Sequence, residues 1–252
     1  MLQLSLIEGT MKHHLLLTML FLVGCSSTPL PVASRDAALS PPPNAQGKIT
    51  QTGEATDLAI EGDGFFVLSR TKSPERPEDL VFTRDGYFHL EFSPGPVDGT
   101  GTYGLVNRDG LYVMAYQTTV DPAVRPFGLA PEESVDTLLT QAPGEPPVEV
   151  RPTALQLDLL SNPNVANATQ LDTQGMLRIS DAAPRDPSGR ELNLHVVLAA
   201  SSFPQYLQLL QRGEYAYTRT AGRLFLGTAA NAGPGREVGT HNVLNPGAIE
   251  RR

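Results

Sequence analysis

Four aspartates lie in or near Gly-containing turns, and carboxylates are groups that could act as acids, bases or cation ligands. Three of the four are adjacent to Gly, where Asp is favoured because its side chain hydrogen-bonds to the local backbone. The chain contains no calcium loop with the spacing D-x-[DN]-x-[DN]-G. The pattern therefore favours turn structure over catalysis or metal binding. The four residues are Asp57, Asp63, Asp85 and Asp109.

Other side chains that commonly perform catalysis lack the partners they would need. The histidines have no HExxH pairing and no cysteine neighbour suited to zinc. No G-x-S-x-G nucleophile elbow occurs, and Glu61-Gly62-Asp63-Gly64 does not form the G-x-G-x-x-G of a nucleotide loop. The sequence therefore predicts no enzyme activity and no cofactor, and an envelope hydrolase is the least favoured alternative. The histidines are His13, His14, His89, His195 and His241.

Residues 11–24 combine a short basic start with an apolar run, the pattern of an export signal. A bilayer-spanning helix needs roughly 20 apolar residues, and this run is shorter. Residues 1–24 are therefore predicted to be a signal peptide. Residues 1–10 contain Glu8 and nothing typical of a signal, which favours Met11 as the translation start.

The apolar run ends in Leu22-Val23-Gly24-Cys25-Ser26-Ser27, which resembles the bacterial lipobox. In a lipobox the Cys after small residues is lipidated and becomes the mature N-terminus. Cys25 is the chain's one cysteine, so no intramolecular disulfide can form. The alternative is an ordinary signal peptide with an incidental cysteine. The resemblance implies lipidation of Cys25, and Ser26 in place of Asp implies sorting to the outer membrane.

Residues 25–50 are predicted to be a tether that follows the anchor. They are rich in proline among Ser, Ala and Asn, and consecutive prolines favour extended, poorly packed backbone. The predicted tether would hold the folded part away from a membrane. The prolines are Pro29, Pro31, Pro41, Pro42 and Pro43.

The charge of the chain argues against nucleic-acid binding. The formal net charge is −8, and the three lysines, Lys12, Lys48 and Lys72, form no basic stripe. A nucleic-acid partner would require clustered Lys and Arg that displace phosphate counterions.

The fold is predicted to be mainly β from about residue 51 to about 250. Gly 23 and Pro 22 are high counts for a helical protein, because both residues interrupt helices. Apolar runs on both sides of Gly-containing turns predict a compact sandwich-like or barrel-like body of short hairpins. Only two short helices are predicted, at residues 131–139 and 204–211. The turns are Glu61-Gly62-Asp63-Gly64, Arg84-Asp85-Gly86, Asn107-Arg108-Asp109-Gly110 and Asp172-Thr173-Gln174-Gly175.

Three blocks in the first half of this body resemble the signature of flagellar basal-body rod and hook proteins. They occur in order over about residues 52–117, and that combination is more specific than any single turn. The C-terminal half resembles the family more weakly. The residues carrying the resemblance are Asp57, Leu58, Ile60, Gly62, Asp63, Gly64, Phe65 and Phe66, then Thr83, Arg84, Asp85, Gly86 and Phe88, then Asp109 and Gly110.

The chain departs from the family at its ends. Members that build the axial tube carry long terminal helices, whereas neither end of this chain has apolar 3.6-residue periodicity over several turns. The resemblance therefore implies the β domain without the polymerising helices.

The lipobox resemblance and the flagellar resemblance together imply a structural protein that is lipid-anchored in the cell envelope, at the periplasmic or surface face of the outer membrane, and associated with the flagellar basal body. Its partners would be rod, hook or ring proteins, contacted through sheet faces, sheet edges and exposed aromatic residues. Phe65, Phe88 and Tyr112 are predicted to pack in the core, and the remaining aromatics to include exposed contact residues. The alternative is an envelope lipoprotein that uses the same β domain to bind a non-flagellar partner or polysaccharide.

Overall fold

The computed structural model describes residues 42–118, 125–129, 137–140, 148–201, 204–222, 224–229 and 242–251. The chain divides into two compact units, residues 1–40 and 41–252, and all described residues belong to the second. That unit is built mainly from short antiparallel strands, as the sequence predicts.

The strands are short, and the described helical segments are only three or four residues long. The α-helix is Val165–Ala168, and 3₁₀ helices occupy Pro77–Asp79, Pro204–Tyr206 and Arg219–Ala221. The strands are β1 Lys48–Gln51, β2 Leu58–Glu61, β3 Phe65–Ser69, β4 Leu80–Thr83, β5 Phe88–Pro94, β6 Gly101–Asn107, β7 Tyr112–Thr118, β8 Arg125–Leu129, β9 Thr137–Thr140, β10 Val148–Val150, β11 Thr153–Ala154, β12 Gln156–Asp158, β13 Thr169–Leu171, β14 Leu177–Ile179, β15 Asn193–Val196, β16 Leu198–Ser201, β17 Gln208–Leu209, β18 Glu214–Ala216, β19 Leu224–Gly227, β20 Val243–Pro246 and β21 Ala248–Arg251.

Strand β3 lies at the centre of the largest sheet. It pairs with β4, β16 and β7, and β7 in turn pairs with β6, β11 and β15. All five residues of β3 are buried because both of its faces are covered. Phe66 and Leu68 face one apolar core, while Phe65 and Val67 face another. Consecutive residues of one strand thus contribute to two separate cores.

Two of the predicted hairpins form as pairs of adjacent strands. The Asp109-Gly110 turn joins β6 to β7, in which Val106 pairs with Tyr112. The Gln174-Gly175 turn joins β13 to β14. Gly110 and Gly175 both have φ of +73°, a conformation that Gly adopts without a Cβ penalty.

The other two turns separate strands that do not pair with each other. After Glu61-Gly62-Asp63-Gly64 the chain bends, so that β2 pairs with β20 while β3 joins the large sheet. After Arg84-Asp85-Gly86, β4 remains beside β3 and β18 while β5 pairs with β6. These turns redirect the chain between sheets.

Both helix predictions need correction. Residues 137–140 form strand β9, which pairs with β8 and β10, and the rest of the predicted helix 131–139 lies outside the described residues. In the segment 204–211, only Pro204–Tyr206 is helical, as a 3₁₀ turn, and Gln208–Leu209 form strand β17. Pairing with β18 supplies the backbone hydrogen bonds that a longer helix would have made internally.

The first and last described strands pair with each other. Lys48 of β1 lies opposite Arg251 of β21, and Leu58 of β2 lies opposite Pro246 of β20. Residues 48–50, at the end of the predicted tether, therefore form part of this strand pair. Segments that are far apart in the sequence therefore lie side by side; Thr52 and Gly247, for example, are 195 residues apart.

Candidate functional site

Arg84, within the Thr83-Arg84-Asp85-Gly86 turn, is almost fully buried, with 2% of its surface exposed. Its guanidinium forms an ion pair with Glu250, in which Nε and Nη2 lie 2.8 and 2.6 Å from Oε2. Nη1 donates to the carbonyl oxygens of Gly62 and Gly64, each at 2.7 Å. Nη2 also donates to the carbonyl oxygen of Ile60 at 2.9 Å. One side chain thus binds the β2–β3 bend and strand β21 together.

The carboxylate of Glu250 and the amide of Gln46 extend this set of contacts. Oε1 of Glu250 accepts a hydrogen bond from the backbone N–H of Gly47 at 2.7 Å. Gln46 Oε1 accepts from the backbone N–H of Gly62 at 3.0 Å, and its Nε2 donates to the carbonyl oxygen of Ile60 at 3.0 Å. We call these residues the Arg84 network: Gln46, Gly47, Ile60, Gly62, Gly64, Arg84 and Glu250.

The glycines of the Glu61-Gly62-Asp63-Gly64 turn allow a close approach by Asn242. The Oδ1 of Asn242 accepts from the backbone N–H of Gly64 at 2.9 Å. A Cβ at Gly62 or Gly64 would lie within 3.0 Å of the Asn242 side chain, and Gly62 also has φ of +132°. Asp63, between them, is exposed. The Gly-x-Gly pattern therefore serves packing against the C-terminal segment.

An Asp-Gly turn predicts a positive φ at the Gly, but Gly86 is required because it lies in close contact with another segment. Its carbonyl oxygen accepts from the backbone N–H of Leu58 at 2.9 Å, and a Cβ there would overlap the Leu58 carbonyl oxygen. Gly86 is not among the residues with positive φ. Beside this contact, the rings of Phe66 and Phe88 pack edge to face at 5.1 Å.

Asp57 is the most buried of the four aspartates that the sequence singles out, with 1% of its surface exposed. Burial raises the pKa of its carboxyl, and the nearby charge of Glu54 acts in the same direction, while a hydrogen bond from Thr52 opposes them. Its carbonyl oxygen accepts from the backbone N–H of Gly247. Asp57 therefore helps to hold β2 against the C-terminal strands.

Asp85 hydrogen-bonds within its own turn, as the sequence predicts for Asp beside Gly, whereas the Asp109 carboxylate accepts from Nη1 of Arg212 in a different turn. Asp85 Oδ1 accepts from the backbone N–H of Tyr87, and Thr83 Oγ1 accepts from the backbone N–H of Asp85. At the other turn, Asn107 Oδ1 accepts from the backbone N–H groups of Asp109 and Leu111. These four aspartates do not converge on one point. No group of three or more His, Cys, Asp or Glu residues in the described part of the chain could hold a metal ion.

The aromatic contact surface is smaller than the sequence predicts. Phe65, Phe66, Phe88 and Tyr116 are all buried, so Phe66 and Tyr116 are not available as contact residues. They are covered because β3 and β7 have cores on both faces. Tyr112 is half-buried, as part of the predicted core group, while 40% of the surface of Tyr87 is exposed.

Glu214 and His195 are among the buried ionisable groups that sequence reasoning missed. Glu214 is 3% exposed, and its Oε1 accepts from the Asn107 side chain at 2.8 Å. Burial raises the pKa of Glu214. Burial also lowers the pKa of His195, which is 7% exposed on β15. The alternating apolar pattern of these strands gives no signal for a buried charge.

The predicted lipidation site, Cys25, lies outside the described residues. Within the described part of the chain, no helix has the length and apolar character needed to cross a membrane. Several of the resemblance residues, such as Arg84 and Gly64, join segments of different sheets.

Part of the chain is similar to flagellar hook proteins. A stretch of 62 residues is 48% identical to part of the flagellar hook protein FlgE of Helicobacter pylori strain 26695. This stretch covers 25% of this chain and 8% of the hook protein. Over 57 residues, or 23% of its length, the chain is 52% identical to FlgE of Helicobacter mustelae, of which 12% is covered. The match to each relative thus spans about a tenth of that relative's length. No family model matches the chain.

Proposed function

We propose that this protein is a lipid-anchored structural component associated with the bacterial flagellar basal body and hook. It acts through protein–protein contacts and catalyses no reaction. The observation that carries the proposal is the identity of about one half to hook proteins over a quarter of the chain.

The fold is consistent with a structural role. The resemblance residues that are buried, such as Arg84, Gly64 and Gly86, hold backbone segments together. None of them presents a nucleophile to a base within the contacts described above. A β body whose first and last described strands pair with each other is suited to be a structural building block.

The proposed chain layout has three parts: a signal peptide at residues 1–24, an anchor and tether at 25–50, and the β domain at 51–250. Lipidation of Cys25 would attach the domain to the outer membrane, on its periplasmic or surface face. The lipobox-like stretch Leu22-Val23-Gly24-Cys25 supports this layout.

A second candidate function is binding of a non-flagellar envelope partner by an inherited β domain. The limited extent of the similarity favours this candidate, because about three quarters of the chain lies outside the match to hook proteins. This candidate retains the lipid anchor and changes only the partner.

Deletion of the gene in its flagellated host tests the proposal. We expect loss of swimming in soft agar and incomplete basal bodies in the electron microscope, with both restored by the wild-type gene. Unchanged motility and assembly after deletion would contradict the flagellar role and favour the second candidate.

The anchor is tested with Cys25→Ser and the neighbouring control Ser27→Ala. Labelling with a palmitate analogue should mark wild type and Ser27→Ala but not Cys25→Ser. Cys25→Ser should also fail to fractionate with the membrane. Membrane attachment of Cys25→Ser equal to that of wild type would contradict lipid anchoring.

A further inference from the structure

A groove of about 480 Å³ lies where the Arg84 turn, the Arg212-Gly213 turn and strand β21 meet. Four arginines and two acidic residues line it. Arg84 and Glu250 form the buried ion pair at its base. The other charged residues of the lining are Arg108, Arg212, Arg251 and Asp85, and Arg212 also pairs with Asp109 beside the groove. The groove therefore has a local excess of positive charge on a chain whose net charge is −8.

Arg108 is held in position by an aromatic ring. Its guanidinium carbon lies 4.4 Å from the centre of the Tyr87 ring, a cation–π contact. Its ion pair with Asp85 is long, at 4.0 Å, and half of the Arg108 side chain is exposed. A guanidinium that is oriented by a ring but only weakly paired is prepared to accept a further carboxylate.

Arg212 reaches the groove from a turn with an unusual backbone. Its φ is +48°, in the left-handed region that few non-glycine residues adopt. Its Nη1 contacts Asp109 at 3.1 Å, while 71% of its side chain is exposed. Arg251, the third arginine, is exposed at the end of β21 and makes no ion pair with another described residue. Its neighbour Ile249 adds an apolar part to the groove.

We propose that this groove binds a carboxylate-bearing segment of a partner protein. Guanidinium groups bind carboxylates with two parallel hydrogen bonds, which gives direction as well as attraction. Arginine is also enriched at protein interfaces, because it is more weakly hydrated than lysine. This inference deepens the proposed structural role, on which its biological meaning rests, by naming a contact surface and the chemistry of its partner.

The pattern of charges favours a protein segment over a long polyanion. Asp85 and Asp109 alternate with Arg108 and Arg212 along the adjoining turns. A smaller cavity of about 200 Å³ beside the groove is also lined by Glu214. A continuous row of phosphates or sulfates would be repelled by these carboxylates and by the negative net charge of the whole chain. Isolated Glu or Asp side chains can instead fit between them.

The test uses purified mature protein and two fluorescein-labelled nonapeptides, one of alternating glutamate and serine, the other of alternating glutamine and serine. Fluorescence anisotropy should give the acidic peptide a dissociation constant at least about tenfold lower than that of its amide counterpart at low salt. The difference should shrink as salt rises, because exposed charges are screened.

The double variant Arg108→Glu/Arg212→Glu should lose this preference, and Arg108→Gln/Arg212→Gln should weaken it. Arg219→Glu is the matched control, since Arg219 is also an exposed arginine near a turn but lies outside the groove. It should bind like wild type. Unchanged thermal midpoints would show that the variants remain folded.

Equal binding of the two peptides, or no effect of the double variants, would overturn the inference. Tighter binding of heparin or polyphosphate through the same arginines would also overturn it, in favour of a polyanion site. The gene deletion described above tests the flagellar role separately. If the deletion strain swims normally but the groove binds carboxylates, the flagellar role would be rejected. The groove would still be identified as a carboxylate-binding site.

Discussion

Arg84 shows how one buried charge can join distant segments of a domain. Its guanidinium is paired with the carboxylate of Glu250, and it also donates to backbone carbonyl groups of the β2–β3 bend and to the side-chain oxygen of Gln46. A buried ion pair adds little stability relative to apolar residues of the same shape, but loss of one partner is costly. The pair therefore acts mainly to specify which segments meet.

The substitution Arg84→Met should destabilise the domain by about 3–5 kcal/mol, because the Glu250 carboxylate would stay buried without its cation. Equilibrium unfolding in urea measures this change. Glu250→Leu should cost a similar amount for the reciprocal reason. The double variant should cost less than the sum of the two, since neither charge then remains unpaired.

An exposed ion pair provides the comparison. Arg185 and Glu191 lie 3.0 Å apart, but their side chains are 52% and 66% exposed. Arg185→Met should therefore change the free energy of unfolding far less than Arg84→Met. Additive effects of Arg84→Met and Glu250→Leu would contradict the account of the buried pair.

Glu214 gives a prediction for pH dependence. Burial raises its pKa above about 4.5, an effect that the Asn107 hydrogen bond, Arg70 and Arg212 partly offset. A raised pKa means that the folded state binds the proton more tightly than the unfolded state. The carboxylate therefore destabilises the fold above its folded pKa, and this cost disappears as pH falls through that pKa towards 4.5.

Glu214→Gln should accordingly be more stable than wild type at pH 7, and the difference should shrink as pH falls towards 4.5. Thermal unfolding across this range provides the measurement. Glu61→Gln, at an exposed site, is the control and should show no such trend. A Glu214→Gln variant less stable than wild type at pH 7 would show that the hydrogen bond to Asn107 outweighs burial of the charge.

At the scale of secondary-structure elements, β3 shows where a simple sequence rule stops. Alternation along a strand places Phe65 and Phe66 on opposite faces, which predicts that one of them is exposed. The two side chains do point to opposite faces of the strand, but each face packs against a separate apolar core. Sequence can specify on which side a residue lies, but not whether that side is covered, because coverage depends on segments distant in the chain.

We therefore predict that Phe65→Ala and Phe66→Ala are equally harmful, each costing about 3–5 kcal/mol. Chemical denaturation of the two variants tests this. Phe92→Ala is the matched control, since Phe92 is 43% exposed on β5 and should cost clearly less. Tolerance of either core substitution would mean that one face of β3 is accessible to solvent.

The Asp-Gly turns illustrate what local sequence can predict about elements. The turn at Asp109-Gly110 joins paired strands, with positive φ at Gly110 and a short backbone loop closed on Asn107. The turn at Asp85-Gly86 has the same local chemistry, but its Gly is required by the distant backbone of Leu58. Strands and turns were therefore predictable from the sequence, whereas their partners were not. The segment 204–211 was mispredicted as a helix for the same reason, because β18 pairs with part of it.

At the scale of the whole molecule, the mainly β class follows from the frequency of Gly and Pro and from the short apolar runs. The Arg84 network could not be derived in this way. The sequence predicts that Arg84 lies at the surface in a turn, because charged residues are rarely fully buried unless they are paired. Its partner Glu250 is 166 residues away. Only the complete fold brings the two together.

A chain that ends after Gly247 should be strongly destabilised, because it lacks β21 and leaves Arg84 buried without Glu250. With about 3–5 kcal/mol lost from the ion pair alone, the thermal midpoint should fall by roughly 6–20 °C. A chain that ends after Glu250 is the matched control and should unfold near the wild-type temperature. Similar midpoints for the two truncated chains would show that β21 is dispensable.

The pairing of β1 with β21 also has a mechanical consequence. Because Lys48 lies opposite Arg251, a force that pulls residues 47 and 251 apart would peel the hydrogen bonds of the two strands open one after another. A force applied only at residue 47, along the direction of β1, would load the same bonds in shear, so that they resist together. Behind them, Gly47 is held by Glu250, which is itself bound to Arg84. The strand pair should therefore resist a force along β1 better than a force that separates the two strands.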